Sequence, residues 1–168
     1  MVAPSCRRTP RRHNRCYGVL AVMGPNARHI LQAVSPDDFS NDANPFGTAQ
    51  EIEIGLGTAR VHRVSYVGEL GWEIYISADQ AGHVFETLWE AGQDHGLMLC
   101  GMHAMDTCRI EKAFRHFGHD ITCEDHVLEA GLGFAVKTEK PEFVGRDAVL
   151  QKREDGLQNR MVQFQLTD

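Results

Sequence analysis

Hydrophobic periodicity begins abruptly at Tyr17, and nothing before it follows a helical or a strand period. YGVLAVM, from Tyr17, reads as a short buried strand. Gly24-Pro25 then turns the chain into an amphipathic helix with Ala27, Ile30, Leu31 and Val34 on one side. SPDDFSNDANPFG, from Ser35 to Gly47, is a loop dense in turn formers. EIEIG and TARVHRVSY alternate around Gly55-Leu56-Gly57, a hairpin signal, and WEIYI, from Trp72 to Ile76, is a further strand. Ser77-Ala78-Asp79-Gln80 has the form of a capping box for the longest helix, whose stripe is Val84, Phe85, Leu88 and Trp89 and whose end is Gly96. A second helix is expected from about His103 to Phe114, with Met105, Cys108 and Lys112 one turn apart. LEAGLGFAV reads as a turn into a strand ending at Val136, followed by a helix near Arg146–Arg153 and a last strand, MVQFQL. Strands and helices intersperse without a strict βαβ rhythm. The expected class is therefore α+β, an antiparallel or mixed sheet flanked by helices.

The composition narrows the function. With 168 residues, 42% hydrophobic and 24% charged, one soluble globular domain is expected. No apolar run approaches the roughly 18 residues of a membrane helix, so no membrane role is expected. Residues 1–16 have no apolar stretch of the secretory kind, but they hold five arginines and no acid. They are expected to be a disordered Arg-rich segment. A mitochondrial transit peptide is the alternative, against which Pro4 and Pro10 interrupt any amphipathic helix. Of the 17 basic residues 12 then remain against 23 acidic ones, a net of −11. So acidic a body repels phosphate backbones, which argues against nucleic acid as a partner. Five cysteines at irregular spacings fit a reducing intracellular compartment, with Cys100 and Cys108 expected as small buried hydrophobes.

Residues 95–126 hold five histidines and three cysteines, yet no C-x2-C occurs and the only close histidine pair is His116-x2-His119, so no metal site is assigned. YVGELGWEI has a G-x-x-G spacing without the Walker lysine or the dinucleotide fingerprint. It fits a tight hairpin in which Gly68 and Gly71 supply positive φ and Trp72 enters the core. Tyr66, Glu69 and Glu73 then gather at a strand-turn-strand corner, where scaffolds commonly carry function. Side chains alternate along a strand, so Glu73 is expected to share one open cleft with Tyr66, while Trp72 and Ile74 point to the opposite face.

YVGELGWEIYI resembles the Y-x-G-E-x-G-x-E stretch of the glycine cleavage T protein (aminomethyltransferase) family. The likeness continues in order through GMHAMDTCRIEKAFRHFGHDIT, LEAGLGFAVK and FVGRDAVLQKRE, and YGVLAVMGPNARHILQ is similar to the family's strand-GP-helix segment. The Leu-Gly-Trp wording and RIEKAFRHFGHDI look most like the folate-binding half of dimethylglycine and sarcosine dehydrogenases. The resemblance implies that Tyr66 and Glu73 line a pocket for the tetrahydrofolate pterin. A carboxylate suits that role, because it can accept the pterin ring N–H and exocyclic amine as a donor pair.

Two departures qualify the likeness. The family's aminomethyltransferases place a folate-tail arginine immediately before the aspartate of the second helix, where this chain has Met105 before Asp106. That favours the dehydrogenase branch. The family's catalytic aspartate lies upstream of the strand-GP-helix, and nothing before Tyr17 resembles that region, so no catalytic residue is assigned. Residues 17–168 are thus expected to be the later part of an aminomethyltransferase-like folate-binding domain. The expected function is a tetrahydrofolate module that accepts a methylene unit derived from an N-methyl amine, in the mitochondrial matrix or cytoplasm. Flavin would sit on a separate domain, since no G-x-G-x-x-G occurs here. The alternatives are a non-enzymatic folate-binding or interaction protein on the same scaffold, and an aminomethyltransferase fragment.

Overall fold

A computed structural model describes residues 16–167; the expectation for the Arg-rich segment falls, apart from Cys16, outside these residues. The chain divides after Cys108 into two compact units.

The first unit holds strands β1 (Tyr17–Met23), β2 (Ala49–Ile54), β3 (Gly57–His62) and β4 (Gly71–Ser77), with helices α1 (Ala27–Val34) and α2 (Ala81–Gly92). The sheet order is β1-β4-β3-β2 and every pairing is antiparallel. One face carries Val22, Ile52, Ile54, Ala59, Val61 and, from β4, Trp72, Ile74 and Ile76. Ala27, Ile30 and Leu31 of α1 and Val84 and Leu88 of α2 complete that core. The strict alternation of β4 therefore sends Glu73, Tyr75 and Ser77 to the opposite face. Gly55-Leu56 links β2 to β3, and the Leu56 amide donates to Nε2 of His83 on α2 (3.1 Å), which ties the hairpin to the helix.

Several local expectations are corrected here. β3 stops at His62, so residues 63–70 form a longer connection instead of a tight hairpin. Gly68 has the expected positive φ of 75°. Gly71 does not; it opens β4, where a Cβ would lie 2.7 Å from Met23 Cγ. The capping box fails because Ser77 belongs to β4, and its hydroxyl approaches Gln80 Oε1 (3.3 Å) without capping the helix. Phe85 is exposed and stacks along Trp89, whereas Val84 and Leu88 hold the buried stripe.

Helix α3 (Met102–Glu111) is exposed along most of its length, with Arg109 its buried residue. Cys100 and Cys108 are accordingly exposed, contrary to expectation. An apolar stripe is buried only where another element lies over it.

The second unit contains a 3-10 turn at Gly133–Ala135 and helix α4 (Arg146–Asp155). The turn replaces the strand expected to end at Val136. MVQFQL forms no strand either: Val162, Phe164 and Leu166 are exposed, and no neighbouring strand among the described residues supplies a ladder. Glu129 anchors this region, accepting from Lys152 Nζ (2.8 Å) and from the backbone N–H groups of Gln158 and Asn159.

Candidate functional site

The uncovered face of the sheet is built by register. Glu73 lies opposite Ala21 of β1 and His62 of β3, while Tyr75 lies opposite Val19 and Arg60. Arg60 is in turn paired across the hairpin with Glu51, at 3.6 Å between exposed side chains. A groove of about 600 Å³ runs over this face, lined by Tyr17, Thr58, Arg60, His62 and Tyr75 among others.

Glu73 is half-buried, and Tyr75 Oη donates to its Oε2 at 2.7 Å. The hydrogen bond to a carboxylate, together with burial and the negative charge of Glu73, pushes the Tyr75 phenol above its ordinary value. From β3 the His62 ring sits 4.8 Å from the Tyr75 ring, tilted by 43°. Trp72 and Ile74 lie in the core, as the alternation requires.

Tyr66 occupies the 63–70 connection, half-buried; neither it nor Glu73 lines the groove, and Glu73 lies beside the lining residues His62 and Tyr75. That connection is held by Gly24 N–H to Leu70 O (2.8 Å) and by Val67 N–H to Ser65 Oγ (3.3 Å). Glu69 is exposed at its tip. His62 and Tyr75 were not singled out from sequence. The available signal was that Tyr75 stands two residues from Glu73 on a strand and therefore shares its face.

On the core side, Trp72 is clasped by cations. The Arg28 and Arg63 guanidiniums lie 5.8 and 5.3 Å from its ring centroid, and burial followed by the charge of Arg28 lowers the Arg63 pKa. In the second unit His116 and His119 stack at 4.9 Å. Among the described residues no group of three or more His, Cys, Asp or Glu is arranged to hold a metal ion.

A four-stranded antiparallel sheet with helices on one face and a polar groove on the other places the chain in the class of aminomethyltransferase T folds. The glycine cleavage system aminomethyltransferase T from Bartonella henselae superposes with a TM-score of 0.70 at 27% identity, covering 83% of this chain and 37% of that one. Residues 9–140 match the GCVT N-terminal domain, and the chain belongs to that family. It is 47% identical over 157 residues to 4-methylaminobutanoate oxidase (formaldehyde-forming) of Paenarthrobacter nicotinovorans, which covers 91% of this chain and 19% of that enzyme. It is 40% identical over 147 residues to mitochondrial dimethylglycine dehydrogenase of Mus musculus, covering 87% of this chain and 17% of that enzyme. The chain thus spans about a fifth of the length of these curated relatives. No helix among the described residues is long and apolar enough to cross a membrane.

Proposed function

We propose that residues 17–168 form the folate-binding part of a one-carbon enzyme of the dimethylglycine/sarcosine dehydrogenase type, accepting on tetrahydrofolate a methylene unit derived from an N-methyl amine. The observation that carries this reading is the Glu73 carboxylate, half-buried on the open face of the sheet and held by Tyr75. A carboxylate so placed accepts a paired N–H donor with charge assistance, the pattern that a pterin edge offers.

Tetrahydrofolate supplies the nucleophilic nitrogen on which the one-carbon unit is carried. Glu73 binds and orients the pterin edge; Tyr66, on the connection outside the groove, is the residue to which the family likeness gives the pocket wall. The packed Trp72 and Ile74 behind β4 keep the strand rigid, so the carboxylate stays aimed at the open side. Oxidation of the amine belongs to a flavin domain, because this sequence lacks a dinucleotide fingerprint. Met105, half-buried on α3, favours the dehydrogenase branch, since a thioether cannot pair with a folate-tail carboxylate. The mitochondrial relative accords with the mitochondrial matrix as the compartment, with the cytoplasm as the alternative.

Calorimetric titration of the 168-residue chain with tetrahydrofolate tests the reading. Weak, saturable binding is expected, because a ligand on the open face keeps part of its surface in water. Glu73→Gln is expected to weaken it by about 1–3 kcal/mol, roughly 5- to 150-fold in Kd. Unaltered affinity in Glu73→Gln would overturn the placement of the pterin.

A further inference from the structure

We propose that Tyr75 and His62 are positioning residues for Glu73: the Tyr75 hydroxyl pins carboxylate oxygen Oε2, and the His62 ring braces the phenol from β3. This rests on reading Glu73 as the acceptor of the ligand's donor pair.

The geometry carries it in three steps. Residues 73 and 75 are neighbours on one face of β4, so a phenol can reach back to the carboxylate without leaving the strand's conformation. The resulting contact, 2.7 Å from Tyr75 Oη to Glu73 Oε2, has the short length of a charge-assisted hydrogen bond. His62 lies directly across from Glu73 in the register and 4.8 Å from the Tyr75 ring, which limits rotation of that ring on the open face.

A glutamate on an uncovered surface loses rotamer freedom when it binds, and that loss opposes binding. A carboxylate already held in place has less freedom to lose. Because each carboxylate oxygen accepts more than one hydrogen bond, Oε2 can serve both Tyr75 and the ligand. Oε1 then faces the second donor. The titratable groups around the Tyr75 phenol are Glu73 on its own strand, Arg60 and His62 on β3, and Tyr17, diagonal to it on β1. Glu73 is the one that accepts its proton, so the elevated phenol reports on this contact without any ligand.

The test combines that ligand-free signal with a double-mutant cycle. In spectrophotometric titration of the intact chain, a phenol ionising above the ordinary value of about 10 is expected. This step should vanish in Tyr75→Phe and move down in Glu73→Gln; a titration identical in the wild type and Glu73→Gln would overturn the pinning contact. By calorimetry, Tyr75→Phe is expected to weaken tetrahydrofolate binding about 5- to 10-fold, the scale of one hydrogen bond. In the Glu73→Gln background the same change should cost less than about twofold, since its effect runs through Glu73. His62→Ala should move affinity in the same direction by a smaller factor. p-Aminobenzoylglutamate, which lacks the pterin, should bind the wild type and Tyr75→Phe alike. Glu73→Gln weakening tetrahydrofolate while Tyr75→Phe binds as the wild type would overturn the positioning role alone. Glu73→Gln without effect on affinity would overturn the folate reading and the ligand part of this one, and the phenol titration would still decide the contact itself.

Discussion

Trp72→Ala is expected to destabilise the first unit by about 3–5 kcal/mol, the range for removing a large aromatic from a packed core. Trp72 is fully buried. Its ring meets Phe39 edge-on at 5.5 Å, two arginine guanidiniums lie over it, and its Nε1–H donates to Asn44 Oδ1 at 3.4 Å. Truncation removes these contacts together and leaves the buried Asn44 amide oxygen without its donor. Trp89→Ala, on the half-buried flank of α2, should cost less than Trp72→Ala, because part of that ring keeps its contact with water and no polar partner is orphaned. Urea unfolding of both variants, followed by circular dichroism, makes the comparison. Equal costs would mean that the core does not centre on β4. On the folate reading proposed above, and because Glu73 is the next residue on the strand, any tetrahydrofolate binding of the wild type should be weakened in Trp72→Ala even at temperatures where the variant remains folded.

Arg109→Ala is expected to cost the second unit about 3 kcal/mol, the lower end for breaking a buried ion pair. Arg109 is 4% exposed. It donates from Nη1 to Asp120 Oδ2 and to the Phe114 carbonyl, the latter at 3.1 Å. Asp120 Oδ2 also accepts the His116 backbone N–H at 3.0 Å, so one carboxylate closes the turn after α3. The Asp120 side chain is 29% exposed, which places the cost at the low end of the range. Hydrogen exchange at the His116 amide should lose protection in Arg109→Ala, and unchanged exchange there would count against the clamp.

The same carboxylate makes the unit sensitive to acid. The His116 N–H first, and the Arg109 guanidinium after it, hold the Asp120 carboxyl below its usual range against the opposing effect of burial. Glu129 is lowered likewise, first by Lys152 and then by the Asn159 N–H. A folded-state pKa below the unfolded one contributes stability that is complete above the unfolded value, near 4, and is lost as pH falls through the folded value. Urea midpoints should therefore decline below about pH 4, and the decline should be shallower in Asp120→Asn, whose midpoint is lower at neutral pH and converges on the wild type in acid.

Much of the first unit was legible in the chain because its signals are local. β1 begins at Tyr17 and ends at Met23, α1 carries its buried Ala27, Ile30 and Leu31 on the expected side, and β4 places Trp72 and Glu73 on opposite faces. Alternation and helical period depend only on backbone geometry, so residues two or four apart declare a shared face without a partner. The fold class and family followed from the same stretches, YVGELGWEIYI above all.

What only the tertiary structure decided depended on which element lies over which. MVQFQL has a strand's pattern but, among the described residues, no strand beside it, and Cys108 sits exposed on α3, so neither pattern is realised as burial. Ser77 has a cap's identity but is drawn into β4 by its pairing with Tyr17. The contact between Tyr75 and Glu73 was implicit in their spacing, yet its bracing by His62 requires the register of β3 against β4, in which His62 stands opposite Glu73. Period is a property of the local backbone and can be read from one segment. Register and coverage are set by the free energy of packing distant segments together, and no single segment contains them.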